Sequence, residues 1–332
     1  MKRSLVENLN SRQGFAKKIR ESAEKERLVS IDCSYLQDHV ENWWLSNASS
    51  SKDDEALKEE LKLLLNDKID SRDRDYFKKI AEAGEYVSAI CMTGIFRTPN
   101  THLALIVHES LSDLFNLNDI KYPYEDHKRL YVKPEGLNYK SWGNGRGEIT
   151  PHSDDLYEEV DASLLSLTVA KDETKTPTTF YQTKHLLKNL SEIEIEKLSR
   201  IEADFKSGKN VSGRVIHKSR KVLDYDQEKD DVKIAMDFRI DDDNGQRMTA
   251  RLRSDSALLD KIGGGFDSYE HISSVPETGT FLIVANQKGL HSRDMLKLTE
   301  EQIERIKTGD VEKVPRLLYR SKGPKNQDSH EH

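Results

Sequence analysis

The stretch Trp142-Gly-Asn-Gly-Arg-Gly-Glu-Ile-Thr-Pro-His152-Ser-Asp154 places a histidine and a carboxylate two residues apart. Side chains at this spacing lie on the same side of a β-strand, whereas on a helix they would point about 200° apart. We therefore predict that a strand or its mouth turns His152 and Asp154 toward one metal ion. Two protein ligands hold a metal weakly, so a third ligand is expected from elsewhere in the chain.

The best candidate for the third ligand is His291. It lies in the segment Gly279 to Arg293, directly after the most apolar strand-like run of the chain. Two histidines and one carboxylate form the facial set that binds non-haem Fe(II) and leaves positions open for other ligands. A second motif of this type, His39-Val-Glu41, has helical surroundings, and we interpret it as a solvated helix face.

Composition indicates a globular protein and excludes several classes. The 332 residues are 35% hydrophobic and 33% charged, which allows one large or two small cores. A net charge of −7 argues against a general nucleic-acid binder, because phosphate recognition uses excess Lys and Arg. No segment approaches the roughly 18 apolar residues of a membrane span, and the N-terminus shows no apolar leader core. Cys33 and Cys91 lack metal or disulfide spacing, so we expect free thiols and a cytoplasmic protein.

The hydrophobic pattern changes from helical spacing in the N-terminal third to short strands separated by turns. Helices around one β-sandwich with a metal site at its mouth resemble the jelly-roll scaffold, so the predicted fold class is α+β, a double-stranded β-helix (jelly-roll) core flanked by helices. The predicted organisation is a mainly helical segment 1–118 that packs on the core, a jelly-roll core 119–320 with helical insertions near 186–204 and 298–308, and a flexible tail 321–332. Predicted strands are 129–133, 163–170, 178–181, 215–217, 232–238, 248–253 and 280–285.

Residues 142–320 resemble the clavaminate synthase-like branch of the Fe(II)/2-oxoglutarate-dependent dioxygenases, which includes hydroxylases of free lysine and arginine. The resemblance covers a little over half of the chain. It rests on ordered motifs: His152-Ser-Asp154, Thr176-Pro-Thr-Thr179, Gly279 to Arg293, and Arg316-Leu-Leu-Tyr-Arg320. Two features depart from the family. Several members have Glu in place of Asp154, and the insertion at 298–308 lengthens the gap before Arg316.

The resemblance implies a role for each motif. His152, Asp154 and His291 would bind Fe(II), and no further catalytic residue is implied. Thr178 and Arg316 would bind the co-substrate 2-oxoglutarate, and Arg320 the carboxylate of an amino-acid substrate, with O₂ as the second co-substrate. The chemistry agrees, since a planar guanidinium can bind both oxygens of a remote carboxylate and a threonine hydroxyl can add a neutral hydrogen bond.

Clustered carboxylates suggest how a cationic substrate would be selected. In arginine-hydroxylating relatives an Arg-x-Asp-x-Asp stretch near this position grips the substrate side chain, which points to Asp241 and Asp243. A buried carboxylate left unpaired is costly, so such a pair would favour an ammonium or guanidinium. The same Asp-Asp-Asp-Asn-Gly run is also an ordinary hairpin turn, and both interpretations stay open. Asp155 and then Glu148 are the next candidates for reading a substrate ammonium.

Three classes of function follow. The favoured one is a hydroxylase of a free basic amino acid, with L-lysine first and L-arginine or another amino acid second. A halogenase on the same scaffold would need a small residue where Asp154 stands. A non-catalytic cupin-like binding protein would not need the complete set of metal ligands and arginines. We expect a small-molecule partner and neither nucleic acid nor membrane; the oligomeric state stays open, a homo-oligomer included.

Overall fold

The computed structural model describes residues 14–71, 73–74, 87–115, 117, 129–138, 143–159, 162–208, 215–241 and 245–325. After a helical stretch at 14–23, the α-helices are α1 (Gln37–Asn47), α2 (Asp54–Lys68), α3 (Thr101–Leu114), α4 (Thr183–Lys188), α5 (Glu192–Leu198), α6 (Arg253–Gly263) and α7 (Glu300–Lys307). None of the helices in these ranges combines the length and apolar character needed to cross a membrane.

The strands outnumber the helices and follow the alternating apolar pattern. In chain order they are β1 (Arg27–Asp32), β2 (Val87–Thr93), β3 (Arg129–Tyr131), β4 (Ile149–His152), β5 (Ala162–Asp172), β6 (Thr178–Gln182), β7 (Glu202–Lys206), β8 (His217–Lys221), β9 (Leu223–Asp226), β10 (Asp231–Ile234), β11 (Ile240–Asp241), β12 (Gly245–Gln246), β13 (Met248–Ala250), β14 (Ile272–Ser274), β15 (Phe281–Ala285), β16 (Gly289–Arg293) and β17 (Arg316–Lys325).

Two sheets form the centre of the molecule. The larger has the order β1-β2-β15-β5-β17-β3, and the smaller has the order β14-β6-β16-β4. Pairing is antiparallel throughout both sheets except between β1 and β2. Side chains from both sheets line one cavity between them. Two mainly antiparallel sheets facing each other are consistent with the predicted jelly roll.

The N-terminal segment contributes to the larger sheet, which corrects the prediction that 1–118 only packs on the core as a mainly helical unit. Strand β2 pairs with the central strand β15, and β1 pairs with β2. Helix α3 packs against β5 and β17, and its buried His108 lies 2.8 Å from both Thr168 and Ser321 through its two ring nitrogens. These strands were not predicted because their apolar run is short and equally compatible with a buried helix.

Two other boundaries differ from the prediction. Strand β17 continues past residue 320 to Lys325, and both Ser321 and Lys322 are buried, so a flexible tail cannot begin at 321. Residues 326–332 lie outside the described residues. The helical insertion expected at 186–204 consists of two short helices, α4 and α5, followed by strand β7. Helix α7 lies within the insertion expected at 298–308.

A buried carboxyl group lies where the chain enters β1. Glu26 is 2% exposed, and neither carboxyl oxygen has a hydrogen-bond partner among the described residues. The Lys288 ammonium is 4.0 Å away and is bonded to Asp231 and to the carbonyl of Val232. Burial raises the pKa of Glu26 from 4.5 to about 8, because the charged form loses its hydration.

We therefore expect stability to fall as pH rises through this range. Because the pKa of Glu26 is higher in the folded protein, the unfolded chain releases this proton at a lower pH than the folded protein does. The stabilisation from protonated Glu26 is therefore complete below pH 4.5 and lost by about pH 8. Between those values the free energy of unfolding should fall by about 1.4 kcal/mol per pH unit from this group. Urea unfolding at pH 5.5 and 7.5 should show this loss in the wild type and not in Glu26→Gln.

Glu24→Gln is the matched control, because Glu24 is exposed two residues away. It should behave as the wild type does. If Glu26→Gln loses as much stability as the wild type between the two pH values, Glu26 is ionised in the folded protein and the prediction is wrong.

Candidate metal centre and active site

The metal centre is built on the pairing of β4 with β16. In this antiparallel pair His152 lies directly opposite His291, and their ring centroids are 4.2 Å apart. Strand β4 ends at His152, so Asp154 lies just beyond the strand. The Asn286 side chain holds this turn, because its oxygen accepts from the Asp154 N–H at 2.8 Å and its nitrogen donates to the Asp154 carbonyl at 2.9 Å.

The three side chains converge on one point. Their ligand atoms all lie within 4.8 Å of one another, with His152 Nε2 3.3 Å from Asp154 Oδ1 and His291 Nε2 3.7 Å from Asp154 Oδ2. The other ring nitrogen of His152, Nδ1, lies 2.8 Å from the Thr150 carbonyl. A hydrogen bond there orients the ring and leaves Nε2 for a metal. The donor set fits Fe(II).

Electrostatics keep these side chains in the forms that bind a metal. Burial, together with the positive field of Arg239 and the effect of His291, lowers the pKa of His152 to about 4, so the ring is neutral at pH 7. Burial alone would raise the pKa of Asp154, but hydrogen bonds and the fields of His152 and His291 hold it well below its usual range. A neutral imidazole and an ionised carboxylate are the forms that ligate a metal.

The cavity beside the metal centre has a volume of about 160 Å³ and lies between the two sheets. Its walls are mainly apolar, and four arginines project into it: Arg239, Arg293, Arg316 and Arg320. Arg316 and Arg320 lie on β17, on the same side as Leu318, because side chains alternate along a strand. Thr178 reaches the cavity from β6.

Arg316 has the features of a carboxylate-binding residue. It is 5% exposed, its Nε lies 3.1 Å from Asp172, and its Nη1 has no hydrogen-bond partner among the described residues. A buried donor without a partner is costly, so a ligand oxygen there would be stabilised. Arg320 approaches the metal ligand itself, with Nη1 4.0 Å from Asp154 Oδ2.

Arg293 binds backbone carbonyl groups of the protein itself. Its guanidinium donates to the carbonyls of Gly143, Gly145 and Gly147, so it holds the glycine-rich run that precedes β4. Burial and, to a smaller extent, the nearby Arg316 lower the pKa of Arg293 to about 9. Gly143 of this glycine-rich run lines the cavity. These contacts between Arg293 and the glycine carbonyls were not predicted from the sequence.

The structure corrects two of the predicted substrate contacts. Asp241 is buried against Arg247 in a bidentate ion pair, with Arg247 Nη2 2.7 Å and Nε 3.0 Å from Asp241 Oδ1, and it does not line the cavity. Asp155 does not line the cavity, and its carboxylate is 2.6 Å from the Lys322 ammonium. Each carboxylate already has a cationic partner. Asp243 lies outside the described residues.

Glu148 lies on a second cavity behind β4. This space has a volume of about 650 Å³, and its acidic lining residues are Glu148, Asp237, Asp260 and Asp267. Arg239 lines both cavities. Sequence reasoning missed Arg239 and its partner Asp237. Their two-residue spacing could have indicated the pair, since residues two apart on an extended segment face the same side.

The comparisons with known proteins agree with this architecture. No protein-family model and no curated protein matches the sequence. An asparagine oxygenase solved with Fe(II), 2S,3S-3-hydroxyasparagine and succinate aligns with a TM-score of 0.65 at 15% identity, over 89% of this chain and 92% of that chain. The non-haem iron oxygenase OrfP, solved with Fe and α-ketoglutaric acid, aligns with a TM-score of 0.61 at 15% identity, over 89% and 93%. At these identities the similarity establishes the fold.

We predict that divalent metal ions stabilise the protein through these three residues. At a hundredfold excess over its dissociation constant, a ligand that binds only the folded state adds about 2.7 kcal/mol. Anaerobic Fe(II), or Co(II) as a redox-stable substitute, should therefore raise the melting temperature of the wild type by several degrees. The shift should be absent in His291→Ala and Asp154→Ala.

His217→Ala is the matched control, because His217 is exposed on β8. It should keep the full metal-induced shift, and EDTA should reverse the shift in both control and wild type. A normal shift in His291→Ala would show that the metal binds elsewhere.

Proposed function

We propose that the protein is an Fe(II)/2-oxoglutarate-dependent hydroxylase of a free L-amino acid, built on a double-stranded β-helix. One substrate C–H bond becomes C–OH, while 2-oxoglutarate and O₂ yield succinate and CO₂ and supply the oxygen atom. The observation that carries the proposal is the combination of His152, Asp154 and His291 with Arg316 in one cavity. A metal centre without such a cation would suit many other reactions.

Fe(II), when bound by the three ligands, supplies the O₂-activating chemistry that amino-acid side chains lack. The protein's part is to bind and orient. Arg316 would bind the remote carboxylate of 2-oxoglutarate through its unpartnered Nη1, with Asp172 holding the guanidinium in place. Thr178 would add a neutral hydrogen bond from β6. The apolar walls exclude water from the reacting atoms.

Arg320 would hold the carboxylate of the amino acid, since it is the cation on β17 nearest to the metal ligands. For the side chain, we propose L-lysine first and L-arginine second, on the resemblance to hydroxylases of free basic amino acids. With Asp241 and Asp155 paired elsewhere, Glu148 is the remaining described candidate for the substrate cation. The acidic lining of the second cavity supports a cationic side chain that extends past β4.

The alternatives have less support. A halogenase would need an open iron position where Asp154 offers its carboxylate, and a non-catalytic cupin-like protein would have no use for a buried Arg316 with a free donor. We propose the cytoplasm as the site of action, because Cys33 and Cys91 are free thiols.

The deciding assay supplies Fe(II), 2-oxoglutarate, O₂ and a panel of free amino acids, and measures succinate together with the hydroxylated product. L-Lysine should exceed its neutral analogue L-norleucine in kcat/KM by up to about fivefold, because only the lysine ammonium can pair with Glu148 and an exposed ion pair contributes at most about 1 kcal/mol. Glu148→Gln should reduce that ratio, whereas Glu135→Gln, an exposed residue outside both cavities, should not. Equal turnover of lysine and norleucine would exclude a basic-amino-acid enzyme.

Replacing the two arginines of β17 should affect the KM values of different substrates. Arg316→Ala should raise the KM for 2-oxoglutarate by at least about tenfold, since a charged hydrogen-bond pair is lost, and Arg320→Ala should raise mainly the KM for the amino acid. Arg305→Ala is the control, because Arg305 is partly exposed and paired with Glu173 on the protein surface. If Arg293→Lys instead shows the 2-oxoglutarate effect, the clamp has been assigned to the wrong arginine.

A further inference from the structure

Arg239 reaches the metal centre because the chain after β10 extends the smaller sheet beyond β4. Asp237 forms a bridge with His152, the Ser153 N–H donates to the Met236 carbonyl at 2.8 Å, and the Phe238 N–H donates to the Pro151 carbonyl at 3.1 Å. Side chains two apart on this extended segment share a face. Asp237 and Arg239 therefore lie together at the edge of the site.

Asp237 fixes the orientation of the Arg239 guanidinium. Arg239 donates from Nε to Asp237 Oδ1 at 2.9 Å and from Nη2 to Oδ2 at 2.7 Å, and its backbone N–H donates to Oδ1 at 3.0 Å. The two residues are 8% and 4% exposed. This bidentate pair uses one edge of the guanidinium and leaves Nη1 on the cavity side, 3.7 Å from Asp154 Oδ1.

Arg239 and Arg320 each lie near one of the two carboxylate oxygens of the metal ligand Asp154. Arg239 Nη1 is 3.7 Å from Asp154 Oδ1, and Arg320 Nη1 is 4.0 Å from Asp154 Oδ2. Both distances are too long for a hydrogen bond, so neither of these two N–H groups donates to the Asp154 carboxylate. The Nη1 group of Arg239 can therefore serve an anionic ligand that lies next to the metal.

The charge of the cavity favours such a ligand. Four arginines line it, while Asp154 in the wall and Asp172 and Asp237 behind it supply three carboxylates. The described side chains thus leave one positive charge. Fe(II) would add two positive charges and 2-oxoglutarate two negative ones, so one positive charge remains for the substrate.

Sheet geometry separates this anion from the remote carboxylate of 2-oxoglutarate. Thr178 lies on β6, and the strand order places β16 and β4 between it and the segment of Arg239. Neighbouring strands are about 4.8 Å apart, so three spacings place the two positions about 14 Å from each other. The remote carboxylate of 2-oxoglutarate, if bound at Thr178 and Arg316, would therefore lie on the opposite side of the cavity from the backbone of Arg239.

We propose that Arg239 is a second anchor, beside Arg320, for the α-carboxylate of the amino-acid substrate. This inference rests on the proposed function and narrows it. The substrate must carry a free α-carboxylate, which excludes peptides extended at that end and α-carboxamides. Arg239 is then a specificity-determining residue, held ready by Asp237.

The test compares L-lysine with L-lysinamide, which lacks the α-carboxylate, by equilibrium binding to the Co(II)·2-oxoglutarate form of the protein. In the wild type the acid should bind at least about tenfold more tightly than the amide, because a buried charged pair is lost in the amide. Arg239→Lys keeps the positive charge but loses the planar fork. This variant should bind lysine at least about tenfold more weakly than the wild type and bind lysinamide almost unchanged. The ratio of the lysine affinity to the lysinamide affinity should therefore fall toward one.

Arg247→Lys is the matched control, since Arg247 is also buried in a bidentate pair with an aspartate of the same hairpin but does not line the cavity. It should keep the wild-type ratio. Co(II) affinity and the melting temperature are measured for every variant. Arg239→Lys should keep a Co(II) affinity within about twofold of the wild type, which shows that folding and the metal ligands are intact.

Two outcomes would overturn the inference. One is equal binding of acid and amide by the wild type. The other is a parallel loss of Co(II), lysine and lysinamide affinity in Arg239→Lys, which would make Arg239 a residue that positions Asp154. Because the measurement requires no turnover, carboxylate-dependent binding without succinate formation would support the anchor and refute the proposed hydroxylation.

Discussion

The antiparallel pairing of β4 with β16 is the constraint on which the site depends. It sets His152 directly opposite His291, and a slip by one residue would turn one of the two rings to the other face of the sheet. Asn286 then ties the backbone of Asp154 to the end of β4 through two hydrogen bonds. The metal-binding geometry is therefore set by backbone pairing.

The cavity arginines differ in what holds them, and their partners indicate their tasks. Arg316 rests against Asp172, Arg293 donates to three glycine carbonyls, and Arg239 is locked by Asp237. Each buried cation thus has an acceptor that compensates part of its lost hydration. Arg316 Nη1 has no hydrogen-bond partner among the described residues, and an anionic ligand in the cavity can supply one. The lining is net positive because arginines from both sheets face the space between them.

Much of the site could be predicted from local patterns. Period-two spacing suggested that His152 and Asp154 share one side, and the apolar run before His291 indicated a buried strand. Arg316 and Arg320 lie four residues apart, so they share a face of any strand, and both do line the cavity. The structure brings these five residues together. Their individual roles in binding remain predictions.

The sequence by itself determined which residues can ligate a metal and which strand faces they occupy, because alternation along a strand is a local property. Only the tertiary structure decided the partners of the charged side chains. Asp241 pairs with Arg247 and Asp155 with Lys322, and Arg239 reaches the metal centre because the 236–239 segment extends the sheet. Such pairings depend on contacts between distant segments, and a carboxylate that looks free in the sequence is neutralised once burial forces it to find a cation.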